Sequence, residues 1–106
     1  MDIDVKNLSP EKKNMLLFMM LVQQHEQIAR MNLGEVPNPV HNQKEEDLKA
    51  ARYAIDTLEM LRSYTDGNIS AEARKYIDSV CDKLGASLKS KDEARKKEEN
   101  DSNDDA

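Results

Sequence analysis

The residues best suited to chemistry are His25 and Glu26, in the segment Gln-Gln-His-Glu-Gln at positions 23–27. An imidazole beside a carboxylate could bind a metal ion or a small ligand, or transfer a proton. A metal site on one helix needs a second ligand three or four residues further on, and those positions hold Ile28 and Ala29. We therefore interpret His25 as a structural or polar interface residue. Ligand or metal binding by His25, Glu26 and the flanking glutamines remains the alternative function.

Other reactive residue types lack partners in the sequence. Cys81 follows Val80 in an apolar pattern and is interpreted as a small buried hydrophobe rather than a nucleophile. Asp56 and Glu59 could form a carboxylate pair, but this spacing is typical of a solvated helix face. The sequence has no Gly-rich phosphate loop, no Cys-x-x-Cys and no Ser-His-Asp arrangement. We predict that the chain is not an enzyme and uses no cofactor.

Composition favours a small helical protein without a nucleic-acid or membrane-spanning role. The chain has 106 residues, of which 38% are hydrophobic and 35% charged, with a net charge of −5. Basic residues are interspersed with acidic ones, so nucleic-acid binding is not expected. The longest apolar run, residues 15–22, is far shorter than the roughly 20 residues of a transmembrane helix. The first residues lack the charge order of a signal peptide, and we expect a cytoplasmic location.

Capping signals predict three helices. Ser9-Pro10 begins the first, which should end at Asn32 before Gly34. Asp47 precedes the second, at about 48–65, and Ser70 precedes a weaker third, at about 71–84. The expected fold class is all-α, an antiparallel helical hairpin with a shorter third helix and a disordered charged C-terminal tail.

The domain organisation follows from these helices. Residues 1–9 should be a flexible lead-in, residues 10–86 a single helical domain, and residues 87–106 a disordered tail. The tail is nearly all charged or small, so it has little apolar surface to bury.

Apolar side chains surround the first helix over residues 15–22, whereas a helical hairpin buries only one stripe. One face of the helix, which we expect to be the buried stripe, has residues at intervals of 4, 3, 4 and 3: Leu17, Leu21, Gln24, Ile28 and Met31. Beside it lie Phe18, Val22, His25 and Ala29. Other apolar residues and two glutamines would then form a partner or oligomer interface: Met15, Leu16, Met19, Met20, Gln23 and Gln27. We predict a homo-oligomer, with a dimer as first choice, and a non-catalytic interaction or adaptor function. Coverage of the run within one chain and a position on a membrane surface are the alternatives.

The connector between the first two helices is unusually long and stiff. Prolines restrict the residues that precede them, so the Val-Pro-Asn-Pro-Val segment should be extended. We interpret it as a structural strap whose two valines pack on the helix ends, with a preformed docking loop as the alternative. Its candidate residues are Gly34, Val36, Pro37, Asn38, Pro39 and Val40.

Two segments carry a resemblance to a known family: LVQQHEQIARMNLGEVPNPV and DLKAARYAIDTLEMLRSYTDGNIS. They resemble a short bacterial family catalogued as a domain of unknown function. The shared motifs are the Leu-Gly-Glu-x-Pro-Asn-Pro connector, an Asp-Leu-x-x-Ala helix start and an Ile-Asp-x-Leu-x-x-Leu core. The resemblance covers about residues 15–84 and implies a small all-helical cytoplasmic protein. It brings no activity, substrate or catalytic residue.

Overall fold

The chain folds into three helices that pack against one another. The structure, a computed structural model, describes residues 7–104, so residues 1–6 of the predicted lead-in and residues 105–106 of the predicted tail lie outside it. Helix α1 spans Pro10–Asn32, α2 spans Leu48–Tyr64 and α3 spans Ala71–Asp104. The all-helical class is thus confirmed. Within the described residues, none of the three helices is both long and apolar enough to span a bilayer.

Helix α1 begins and ends at the residues that the sequence predicts. The Ser9 hydroxyl accepts a hydrogen bond from the Lys12 backbone N–H at 3.2 Å. At the other end, Gly34 has a φ of +79° and its N–H donates to the Met31 carbonyl, while the Glu35 N–H donates to the Arg30 carbonyl. This pair of bonds is a Schellman motif, in which the left-handed position favours glycine.

The connector is fixed where it leaves α1 and where it enters α2. The Asp47 N–H donates to the Asn32 carbonyl at 2.8 Å, and the Asp47 carboxylate accepts from the Ala50 N–H at 3.1 Å. Leu33, the first residue after α1, is fully buried. The end of α1 and the start of α2 are therefore held side by side.

Helix α3 is much longer than predicted. It continues through Gly85 to Asp104, so the expected end near Leu84 is wrong, and residues 87–104 are helical rather than a disordered tail. Leu88 is buried in the core, at the next turn of the stripe that contains Leu84. A helical glycine costs about 1 kcal/mol, which is less than the roughly 1.5–3 kcal/mol gained by burying a leucine.

Beyond Leu88, α3 is tied to the start of α2 by ion pairs. Arg52 binds Asp92, and Glu46 accepts from Lys91 at 3.2 Å and lies 3.3 Å from Arg95. Charge composition alone predicted a disordered tail here. It could not show these ion pairs, because the partners of the charges lie about 40 residues earlier in the chain.

The core lies where the three helices meet, and all three contribute to it. Its buried members are Val22, Ala29, Leu33, Leu48, Ala51, Ala54, Ile55, Leu58, Ile77, Val80, Cys81, Leu84 and Leu88. Among residues 7–99, whose side chains the structure describes, the buried ones are all apolar. Phe18, Leu61, Ile69 and Tyr76 pack around this cluster.

Candidate interaction surface

Helix α1 carries two apolar stripes, and the structure buries the one that sequence spacing did not select. The inner stripe is Phe18, Val22, His25 and Ala29, of which Val22 and Ala29 are fully buried. The outer stripe is Leu17, Leu21, Gln24 and Ile28, whose apolar members are 50%, 38% and 42% exposed. The expectation that the outer stripe faces the core is therefore wrong. Both stripes repeat at the same helical intervals, so only the positions of α2 and α3 decide which one is buried.

The residues predicted to form the interface divide into two groups. Met15, Leu16 and Met19 are half-buried, and the Met15 sulfur lies 3.3 Å from the Ser70 hydroxyl at the start of α3. The exposed members of the predicted set are Met20, Gln23 and Gln27. The structure thus covers part of the apolar run within the chain and leaves the Leu17 side of the helix uncovered.

Helix α2 has an exposed stripe of its own. Tyr53 is 79% exposed, Tyr64 is 83% exposed and Met60 is 41% exposed. With Thr57 these residues follow intervals of 4, 3 and 4, the same intervals as the outer stripe of α1. This regular spacing could have revealed a second stripe on α2 from the sequence, on a different side of the helix from the stripe that contains Ile55.

The predicted pair of His25 and Glu26 does not converge on a common site. The Arg30 guanidinium donates to Glu26 at 3.1 Å and to Glu35 at 2.9 Å, which joins α1 to the connector. Burial disfavours the charged form of Arg30, but the hydrogen bonds that it donates to Glu26 and Glu35 outweigh this and raise the pKa of the guanidinium. The Tyr76 hydroxyl of α3 also lies 3.5 Å from Glu26.

His25 makes a local contact instead. Its Nδ1 lies 3.0 Å from the Leu21 carbonyl oxygen, one turn earlier on α1. Among the described side chains, those of residues 7–99, no three His, Cys, Asp or Glu come together in a group that could hold a metal ion. Glu26 is engaged in structural ion pairing, and His25 lies on the inner stripe.

The connector forms a closed turn whose tip points into solvent. The Asn38 N–H donates to the Gln43 carbonyl at 2.8 Å, and the Asn38 side chain accepts from the Val40 N–H at 2.9 Å. Val36 is half-buried, whereas Val40 is 82% exposed. The prediction that both valines pack on the helix ends is therefore wrong for Val40. The Asn38 side chain therefore caps a backbone N–H group inside the turn.

Cys81 lies in the core on α3. Burial, aided by the negative charge of Glu59, raises the pKa of the thiol to about 11. A thiol in this state is unreactive at neutral pH. Its interpretation as a small buried hydrophobe is confirmed.

Comparison with known proteins places the chain in a family. A family model described as Domain of unknown function (DUF1844) matches residues 15–88. The chain belongs to this DUF1844 family. The DUF1844 match contains the outer stripe, the connector and the exposed stripe of α2, and it ends at Leu88, a buried residue of α3. Neither the curated proteins nor the solved structures contain a match to the chain.

Proposed function

We propose that this DUF1844 protein is a non-catalytic interaction protein that self-associates through α1. The observation that supports the proposal is the outer stripe, in which Leu17, Leu21 and Ile28 remain 38–50% exposed although they repeat at the intervals of a helix-packing seam. A cytoplasmic dimer, held by two copies of this stripe, is the simplest form of the proposal, because two-fold dimers are the commonest assemblies.

Energetics favour covering the stripe. Full burial of a leucine or isoleucine is worth roughly 1.5–3 kcal/mol. Three side chains that are each about half exposed therefore offer roughly 2–4 kcal/mol per copy on association. That is a substantial fraction of the 5–15 kcal/mol that stabilises a typical domain. Contiguous exposed apolar patches of this kind commonly mark interaction sites.

The near absence of charged residues from α1 between Lys13 and Arg30 also supports self-association. Between Lys13 and Arg30 its only Asp, Glu, Lys or Arg residue is Glu26, which pairs with Arg30 on another side of the helix. Two chains with a net charge of −5 each repel one another overall. An uncharged contact surface adds no local repulsion to this overall repulsion between the two chains.

The test is the solution mass of the wild type and of Leu17→Glu, measured by light scattering over a concentration series. Leu17 is half exposed in the single chain, so the charge should leave the fold intact while opposing association. The matched control is Ala86→Glu, an exposed position on α3 that adds the same charge outside the stripe. We expect twice 12.1 kDa for wild type and control, and 12.1 kDa for Leu17→Glu. A wild type of 12.1 kDa at all concentrations would contradict the proposal.

A further inference from the structure

We infer that the self-association surface is two helices wide, and that a second copy of the chain docks on the combined exposed stripes of α1 and α2. This inference rests on the proposed function and specifies its contact surface. We call outer face the outer stripe of α1 together with four residues of α2: Tyr53, Thr57, Met60 and Tyr64.

On α2, the outer face lies away from α3. The residues of α2 that bind α3 are Arg52, which pairs with Asp92, and Arg62, whose guanidinium lies 3.5 Å from Asp82. Successive residues of a helix are about 100° apart. Tyr53 and Tyr64 therefore lie roughly opposite Ile55, the core residue between the two contacts. The exposed tyrosines and the α3-binding arginines occupy different sides of α2.

On α1, too, the exposed residues and the residues that contact α3 lie on different sides of the helix. Met15 contacts Ser70, which precedes α3, and Glu26 contacts Tyr76 of α3. Both residues of α1 lie within about 40° of Val22 around the helix. Leu21 and Ile28 lie about 100–120° from Val22 in the opposite rotational sense. The exposed stripes of α1 and α2 are thus both on the side of the α1–α2 pair that faces away from α3, and they adjoin.

The chemistry of the outer face suits a second copy of itself. An isologous contact places the same residues on both sides, so the surface must be complementary to itself. Apolar side chains meet this requirement, and so do Gln24, Thr57 and the tyrosine hydroxyls, because each can both donate and accept hydrogen bonds. Its members include no Asp, Glu, Lys or Arg. Tyrosine and methionine are also enriched in the cores of protein interfaces.

The area of the outer face is close to the minimum that a dimer needs. The 17 residues of α2 are about 25 Å long, and two adjacent helices are about 20 Å wide. Each copy therefore offers about 500 Å², and the pair buries about 1,000 Å², close to the lower bound for a specific interface. The outer stripe of α1 alone would supply about half of this. Recruitment of α2 thus distinguishes a specific dimer from a weak encounter.

The test compares variants on the two helices. Tyr64→Glu and Tyr53→Glu place a charge on α2 at positions that are 83% and 79% exposed in the single chain. Their mass is measured by light scattering beside wild type, Leu17→Glu and the Ala86→Glu control, with far-UV circular dichroism on every sample. We expect wild type and control to be dimers, and all three stripe variants to be folded monomers at the same concentration.

Each of the other possible results contradicts a different part of the inference. If Leu17→Glu is monomeric while both tyrosine variants remain dimers, the two-helix surface is wrong and self-association through α1 stands. If wild type is monomeric, self-association itself is wrong. If both tyrosine variants unfold, these side chains are not exposed and the inferred face is overturned. A mass that rises beyond two copies with concentration would contradict a closed two-fold dimer.

Discussion

The inner and outer stripes of α1 have similar residues but opposite surroundings. Val22 is fully buried among α2 and α3, whereas its neighbour Leu21 is 38% exposed. Both stripes repeat every three or four residues, and the outer stripe has the larger side chains. The difference teaches that hydrophobicity and period predict a packed helix, but not which of two adjacent stripes is packed within the chain and which is left exposed.

The largest expected effect comes from placing a charge on each stripe in turn. Val22→Asp buries an unpaired carboxylate, which costs several kcal/mol and should leave the chain unfolded. Leu21→Asp places the same charge at a position open to water and should leave it helical. Thermal unfolding followed by circular dichroism compares the two variants. Equal loss of structure in both would mean that the stripes do not differ.

Truncation on α2 extends the comparison to the second helix. Leu58 is fully buried, and Leu58→Ala should lower the free energy of unfolding by about 2–5 kcal/mol. Met60 is on the outer face, and Met60→Ala should change it by less than about 0.5 kcal/mol in dilute protein, where no dimer contributes. Urea denaturation at low micromolar concentration measures both. A cost for Met60→Ala close to that of Leu58→Ala would remove the distinction between the two sides.

The reactivity of the Cys81 thiol tests whether the core is closed to water. Because the pKa of Cys81 is about 11 instead of 9.0, the folded protein has about 100-fold less thiolate at pH 8 than a free cysteine. A thiol-specific chromogenic reagent should therefore label Cys81 at least about 100-fold more slowly in the folded than in the urea-unfolded chain. Equal rates would show that water reaches the core.

The same thiol makes stability depend on pH in a defined direction. The unfolded state loses its proton near pH 9.0 and the folded state only near pH 11, so the folded state holds more protons between these values. The contribution of Cys81 is fully present below pH 9 and is lost as pH rises toward 11. Cys81→Ala should remove this part of the decline in unfolding free energy.

The smallest effect concerns the part of α3 beyond Gly85. Leu88 is 7% exposed and Lys89 is exposed, so this adjacent pair repeats the contrast between Val22 and Leu21. Leu88→Ala should lower the free energy of unfolding by about 2 kcal/mol, the low end for a buried leucine, and Lys89→Ala should have almost no effect. Urea titration would contradict the packed helix if Leu88→Ala were neutral.

Local signals in the sequence were sufficient to locate most helix ends. Ser9, Gly34 and Asp47 act on backbone groups within a few residues of themselves, and each lies where the capping rules place it. The same reasoning identified the start of α3 from Ser70, whose hydroxyl accepts from the Ala73 N–H at 3.1 Å.

Tertiary context decided what the sequence could not. The far half of α3 is held by Leu88 in the core, by Glu46 of the connector and by Arg52 of α2, and no local pattern identifies those partners. The outer stripe was assigned to the core because its spacing is regular. Its exposure depends on where α2 and α3 pack, which is a property of the whole fold.

Methyl NMR with a soluble gadolinium chelate tests most directly whether a second copy covers the outer stripe. The probe broadens methyl signals that water can reach. In concentrated wild type, the methyls of Leu21 and Ile28 should be as protected as those of Val22. In Leu17→Glu they should broaden while Val22 stays protected. Broadening of Leu21 and Ile28 to the same extent in wild type would contradict a covered stripe.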